Sequence, residues 1–203
     1  MKHNVDVLII GAGPAGIFTA LELTKHNKDL KILIVDSGRS IEKRKCPARV
    51  TGVCSGCNPC AITRGWSGAG AFSDGKLSLS PAVGGRLVEY MKTEQAQDLI
   101  DYADGIYRQF GAQDTVYGLD NRRVEEIEYE ASRHNIALIH CPVRHLGTEL
   151  AYDVLKGMYE HLMQKTNTIF WELAEVKNIL ADSAGALGAS IQRRGEQEPD
   201  EVF

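Results

Sequence analysis

Long apolar runs are missing from this 203-residue chain, and the first consequence concerns membranes. Its stretches of Val, Leu and Ile fall far short of the ~20 residues a bilayer helix requires, so no membrane span is expected. An excess of positive charge is missing too. With 23 Lys and Arg against 27 Asp and Glu the net charge is −4, which argues against nucleic acid as a partner. There are no repeats and no low-complexity tracts. A composition of 43% hydrophobic and 25% charged residues is that of an ordinary globular protein that can bury one sizeable core, so disorder is not the default. Met1-Lys2-His3 runs straight into an apolar segment and leaves no room for a signal peptide, so a cytoplasmic location is expected. Cysteines are few, yet Cys46, Cys54, Cys57 and Cys60 crowd into one loop. Disulfides are not expected there in a reducing compartment.

What is present begins with a strand, a glycine turn and a helix. Asn4 to Ile10 is a short strand-type run feeding Gly11-Ala12-Gly13-Pro14-Ala15-Gly16, which opens an amphipathic stretch from Ile17 to His26. A second run, Lys31 to Val35, ends at Asp36, about twenty positions past Gly16. Gly11 suits the tight turn, Gly13 lets the backbone approach a pyrophosphate, and Gly16 lets helix and strand pack closely. Pro14 is tolerated at the first helical position, where its missing N–H would have no intrahelical partner. The helix N-terminus presents N–H donors and positive dipole character to phosphates, and Asp36 can accept from ribose hydroxyls. Dinucleotide binding is the expectation.

The string IIGAGPAGIFTALEL followed by ILIVDSG resembles the N-terminal FAD-binding segment of the glutathione-reductase-like flavoproteins. Cys46-Pro47, Cys54-x-x-Cys57-x-x-Cys60, the run Gly65 to Leu77, and Arg144-His145-Leu146-Gly147-Thr148 resemble the bacterial FAD-dependent dehydrogenases of the NAD(FAD)-utilizing type. This resemblance runs nearly end to end. It implies an α/β, Rossmann-like FAD/NAD(P)-binding domain with a parallel sheet, a β-hairpin or meander and an inserted α+β segment. It also implies FAD as cofactor, with NAD(P)H a candidate electron donor, and hydride or electron transfer to or from a small-molecule substrate. The cofactor-binding set it implies adds Ser37, Gly38, Gly70, Ser73, Asp74, Gly75 and Lys76 to the glycine turn and Asp36, with the backbone near Val176 at the adenine. Lys76 would bias the flavin toward its anionic reduced form. Two departures stand out: Glu149 replaces the usual Asp, and family members are considerably longer, so an N-terminal piece is expected. A flavin-binding module without catalysis is the alternative function.

Three segments follow from this reading: residues 1–80 as the FAD-binding βαβ unit with its Cys- and Gly-rich loop, 81–142 as an inserted substrate or cap segment, and 143–203 as the return of the FAD-binding domain. Within them, helical spacing predicts helices over Thr93 to Phe110 and Arg123 to His134, and a return helix carrying Tyr152, Leu155, Met158, Tyr159 and Leu162. Ile136 to Ile139 is an apolar run, and Cys141-Pro142 is expected to end a buried strand. Thr168 to Leu173 reads as the third parallel strand, placed beside the first by a right-handed crossover. Glu175 to Leu180 and Ala186 to Arg193, split by Asp182-Ser183-Ala184-Gly185, read as a hairpin.

Several features admit more than one chemistry. The four clustered cysteines suit an iron–sulfur cluster, tetrahedral zinc, a redox pair or inert structure. Arg39, Lys43, Arg44, Lys45, Arg49 and Arg64 against only Glu42 make either a solvated loop or an anion-neutralising one. Gly70-x-x-x-x-Gly75-Lys76 copies most of a P-loop, but Leu77 stands where Ser or Thr would hold magnesium. His140 and His145 read as structural histidines. Trp66 fits either core packing or stacking on a flavin.

Overall fold

The computed structural model describes residues 1–203. In chain order the strands are β1 (Lys2–His3), β2 (Val7–Ile10), β3 (Ile32–Val35), β4 (Lys76–Ser78), β5 (Val143–His145), β6 (Thr168–Trp171), β7 (Ala174–Asp182), β8 (Gly185–Arg193) and β9 (Asp200–Val202). The α-helices are α1 (Pro14–His26), α2 (Ala48–Thr51), α3 (Thr93–Gln109), α4 (Asn121–Ser132) and α5 (Gly147–Lys165). No helix is long and apolar enough to cross a membrane.

Contacts divide the chain into two units, Met1–Phe72 with Leu155–Phe203, and Ser73–Val154. The breaks thus fall at 72/73 and 154/155, where sequence reading placed them at 80/81 and 142/143. The reason is pairing: β4 and β5 are antiparallel partners, Lys76 opposite His145 and Ser78 opposite Val143, so the end of the glycine-rich loop travels with the insertion.

The first unit holds two sheets. One is parallel, in the order β2-β3-β6, and the other runs β1-β9-β8-β7. All four residues of β3 are buried, which suits the central strand of a parallel sheet, covered on both faces. The third parallel strand therefore lies beside the second, Ile32 opposite Thr168 and Val35 opposite Trp171, and not beside the first as expected. The two edges of β3 are taken by β2 and β6, both parallel to it, while β2 ends at half-exposed Ile10. Between the sheets Leu33, Val35, Ala174, Ala189, Ile191 and Val202 form a buried cluster. Helix α1 buries Ile17, Ala20, Leu21 and Thr24, and the C-terminal half of α5 buries Leu155, Met158 and Leu162.

The hairpin forms as expected, with Asp182 closing its turn by accepting from the N–H groups of Ala184 (2.7 Å) and Gly185 (3.2 Å). β9 extends the hairpin into a three-stranded meander, as the resemblance implies, whereas β1, two residues long, carries too little pattern to be read. In the second unit the apolar run Ile136 to Ile139 is not a strand, and Ile136 and Ile139 are exposed. Cys141-Pro142 precedes β5 instead of ending a strand. That unit is organised around Arg144, whose buried guanidinium makes a two-point contact with Asp104 (2.6 Å for each bond) and also donates to the Gln113 carbonyl. The hydrogen bonds to Asp104 raise the Arg144 pKa further above its ordinary value, although burial opposes them.

Candidate functional site

The glycine turn joins the end of β2 to the start of α1, and its three glycines do three different things. Gly11 sits at φ +100°, a conformation an L side chain rarely adopts. Gly16 is packed so closely that a Cβ there would lie 2.1 Å from the Gly11 carbonyl oxygen and 3.1 Å from Ile9 Cγ2. Gly13 is the reverse: a Cβ would meet nothing within 4 Å. Gly13 is also the N-cap of α1, extended at φ −74° and ψ 179°, and no side chain caps the helix there. Pro14 occupies the first turn, so the donors at this end are backbone N–H groups of the turn and of Ala15 and Gly16. The C-terminal end of α1 carries Lys25 and His26, which complement the opposite pole of the dipole.

Asp36 follows β3 directly and is already heavily engaged. Its Oδ2 accepts from the Ala12 N–H (3.0 Å), and its Oδ1 accepts from those of Gly38 (2.7 Å) and Gly65 (2.8 Å). One carboxylate thus ties together the glycine turn, the segment after β3 and the start of the glycine-rich loop. A carboxylate offers about four acceptor positions, so one remains on Oδ2 beside the turn. Gly11, Asp36, Ser37, Ala174 and Val176 line one cleft of about 210 Å³ at the C-terminal ends of β2 and β3. The structure therefore brings Gly11, Asp36, Ser37 and Val176 together. It uses Gly38 for packing, since a Cβ there would lie 2.2 Å from the Arg64 backbone.

Sequence reading missed the chief organiser of the loop between 61 and 68. Arg44, expected only as one of six basic loop residues, is buried and donates to the carbonyls of Ala61 (2.9 Å), Ile62 (2.6 Å), Gly68 (2.7 Å) and Trp66. Burial lowers its pKa, with Asp36 and Cys60 acting in the opposite sense. Lys43 is likewise structural, paired with Glu172 at 2.7 Å. Arg44 and Arg49 both stand over the Phe72 ring, at 4.8 and 5.3 Å from its centroid. The loop reaches back to the glycine turn through the Ser67 N–H, which donates to the Ala12 carbonyl (2.6 Å). Trp66 is wholly buried. Its Nε1 donates to the Leu155 carbonyl (3.0 Å) and its ring meets Tyr159 and Phe170 edge-on, so it is core and not a stacking platform.

Other candidates resolve differently. Gly70 lies in a 3-10 turn, Gly68–Phe72, within the first unit, whereas Ser73, Asp74, Gly75 and Lys76 belong to the second. There Lys76 pairs with Asp74 at 2.7 Å, and Gly75, at φ +67°, is packed with the Gly147 carbonyl 2.7 Å from where its Cβ would stand. Lys76 opens a strand and not a helix, which removes the P-loop reading, because a P-loop lysine needs a helix N-terminus behind it. The cysteines are not gathered for metal: no three Cys, His, Asp or Glu side chains are grouped so that they could hold an ion, and Cys54 and Cys57 are exposed. Of the alternatives open to Cys46, Cys54, Cys57 and Cys60, cluster or zinc ligation finds no support in this arrangement. His140 Nε2 meets the Gly118 carbonyl (2.6 Å), and the His145 carbonyl accepts from Gln113 (2.6 Å).

A strand–glycine turn–helix, a parallel strand ending in an acid and a cleft at the strand ends define the FAD/NAD(P)-binding Rossmann-like fold, here in a mixed α/β chain. The family model for lycopene cyclase proteins matches residues 6–75, the segment from β2 through the glycine-rich loop. Among solved structures, the chain is similar to the 3-ketosteroid-Δ4-(5α)-dehydrogenase of Rhodococcus jostii RHA1, with 16% identity over 98% of this chain and 44% of that one and a TM-score of 0.57. It is similar to E. coli quinol fumarate reductase FrdA, with 13% identity over 100% of this chain and 31% of that one and a TM-score of 0.55. The third is the L-amino acid deaminase of Proteus vulgaris, with 11% identity over 100% and 46% and a TM-score of 0.51. The chain therefore spans less than half the length of each of these structures. No curated protein sequence matches it.

Proposed function

We propose that the first unit binds FAD and that the protein serves as an FAD-dependent oxidoreductase on a small-molecule substrate. The observation that carries this reading is Gly13, a helix N-cap with no side chain and open space above it, beside the cleft that holds Asp36. The backbone donors at the start of α1 would hold the pyrophosphate, attracted by the positive end of the helix dipole. Asp36 would accept from the adenosine ribose with its remaining oxygen position while its other bonds keep the turn in shape. Ser37 and the backbone near Val176 would border the adenine. Asp36 also disfavours a ribose carrying a further phosphate, because two negative charges would meet there. FAD, when bound, supplies the hydride and electron chemistry; the chain supplies binding, orientation and the surrounding charge. The resemblance of Gly65 to Leu77 to the dehydrogenase family and the fold shared with a dehydrogenase and two further enzymes support the enzymatic reading.

The test is direct. Purified protein should release FAD, and not FMN, on denaturation, and Gly13→Val should lose it while retaining the native circular dichroism spectrum. FAD retained in folded Gly13→Val refutes the placement. Turnover of a reduced nicotinamide or an electron-accepting dye by the FAD-loaded protein distinguishes an oxidoreductase from a flavin-binding module.

A further inference from the structure

A second cavity in the first unit, of about 300 Å³, is lined by Arg39, Lys43, Arg44, Lys45, Arg64 and Arg194, with no Asp or Glu in its wall. Lys43 is neutralised by Glu172 and Arg44 is consumed by four loop carbonyls. Arg39, Lys45, Arg64 and Arg194 are exposed and make no ion pair, although the charge of Arg64 also acts on Glu175, so the cavity keeps a net positive lining. Cys57 and Cys60 lie in the same wall, whereas Cys54 and Cys46 do not. Cys60 lies beside the segment that Arg44 anchors: the backbone N–H groups of Thr63 and Ile62 and the Thr63 side chain lower its pKa, with Arg44 adding a smaller effect in the same direction.

We propose that this cavity takes a small anionic disulfide, which Cys60 attacks and Cys57 resolves. A cleft lined by one sign of charge concentrates ligands of the opposite sign, and two thiols spaced Cys-x-x-Cys in its wall can complete an exchange. The Cys60 thiolate forms a bond to one sulfur of the bound disulfide, whose S–S bond breaks and whose other half leaves as a thiolate. Cys57 then gives up its proton to solvent and attacks Cys60, releasing the second half. The net change is two protein thiols oxidised to a Cys57–Cys60 disulfide and one small disulfide reduced to two thiols. Nothing in this step depends on a cofactor at Gly13.

Reactivity mapped cysteine by cysteine tests it, with the anionic reagent dithiobis(nitrobenzoate) compared with neutral dithiodipyridine and exposed Cys54 serving as the internal reference. Cys60 should favour the anionic reagent over the neutral one by at least about tenfold relative to Cys54. That preference should fall with added salt and disappear in Lys45→Glu/Arg64→Glu, whose exposed side chains have no part in the core. In Cys57→Ser the mixed disulfide at Cys60 should accumulate, whereas the unaltered protein should proceed to the Cys57–Cys60 disulfide. Equal preference at Cys54 and Cys60, a preference that survives charge reversal, or no accumulation in Cys57→Ser overturns the proposal.

Discussion

At the scale of single residues, Gly13 and Gly16 belong to one motif yet answer to opposite physics. A methyl group at Gly16 would collide with backbone, which cannot swing aside, so Gly16→Ala should lower stability by about 2–3 kcal/mol, as overpacking does. Gly13→Val meets open space and should leave the urea midpoint nearly unchanged while abolishing FAD binding. If both variants lost stability equally, the division of labour within the turn would be wrong. Asp36 combines the two roles. Its three backbone donors belong to three separate segments, so Asp36→Ala should cost about 2–3 kcal/mol of folding stability in addition to weakening ADP binding. Urea unfolding and calorimetric titration with ADP read the two effects separately.

At the scale of elements, the loop from Ala61 to Gly68 has no regular ladder; one guanidinium takes four of its carbonyls, while Asp36, Arg39, Ala12 and Leu155 take N–H groups of Gly65, Trp66 and Ser67. A planar fork with five donors suits a cluster of carbonyls better than an ammonium does, which makes Arg44→Lys a poor replacement. Arg44→Met removes the donors and keeps much of the stem, leaving partly buried carbonyls without partners. A loss of about 3 kcal/mol is expected in urea unfolding, along with earlier proteolytic cleavage between Ala61 and Gly68. Native-like resistance to protease in that segment would show that the bonds from Gly65, Trp66 and Ser67 hold the loop without Arg44. This element-level role is also why the basic stretch misleads in sequence: the same six residues include a buried clamp, a paired lysine and exposed charges, and spacing does not separate them.

At the scale of the molecule, the sheet of β1, β9, β8 and β7 is pinned by Asp200, which is 1% exposed. Burial alone would raise its pKa. Hydrogen bonds from the N-terminal ammonium, Arg193 and His3 outweigh that effect, and the net shift is downward. A carboxyl group with a depressed folded pKa contributes stability that is present above its unfolded value, about 3.9, and is lost as pH falls through the folded value. Acid unfolding should therefore steepen below about pH 4, and Asp200→Asn should be less stable at neutral pH with a flatter acid limb. Chemical denaturation at a series of pH values checks both. Ligand linkage offers a second measurement on the same unit: FAD or ADP at about a hundred times its Kd should add about 2.7 kcal/mol, and Gly13→Val should show no such gain.

The glycine turn, the acid after the second strand, the hairpin and the long helices were legible in the sequence because each rests on local rules: period, turn chemistry, and a fixed spacing between glycine and carboxylate. The insertion was visible as a break in the α/β pattern, though its edges were not, since β4 and β5 are three-residue strands that exist only through each other. Strand order was out of reach for a similar reason; only pairing between residues far apart in the chain sets β6 beside β3. Trp66 and Arg44 had ambiguous side chains, and tertiary packing made one a core residue and the other a clamp. The cysteine spacing permitted metal, but a loop's spacing does not determine where its sulfurs point. The fold placed Cys57 and Cys60 in a cationic wall and left Cys54 outside it. Local chemistry is written along the chain, whereas burial and charge environment depend on residues brought together from far apart in it, which only the folded structure assembles.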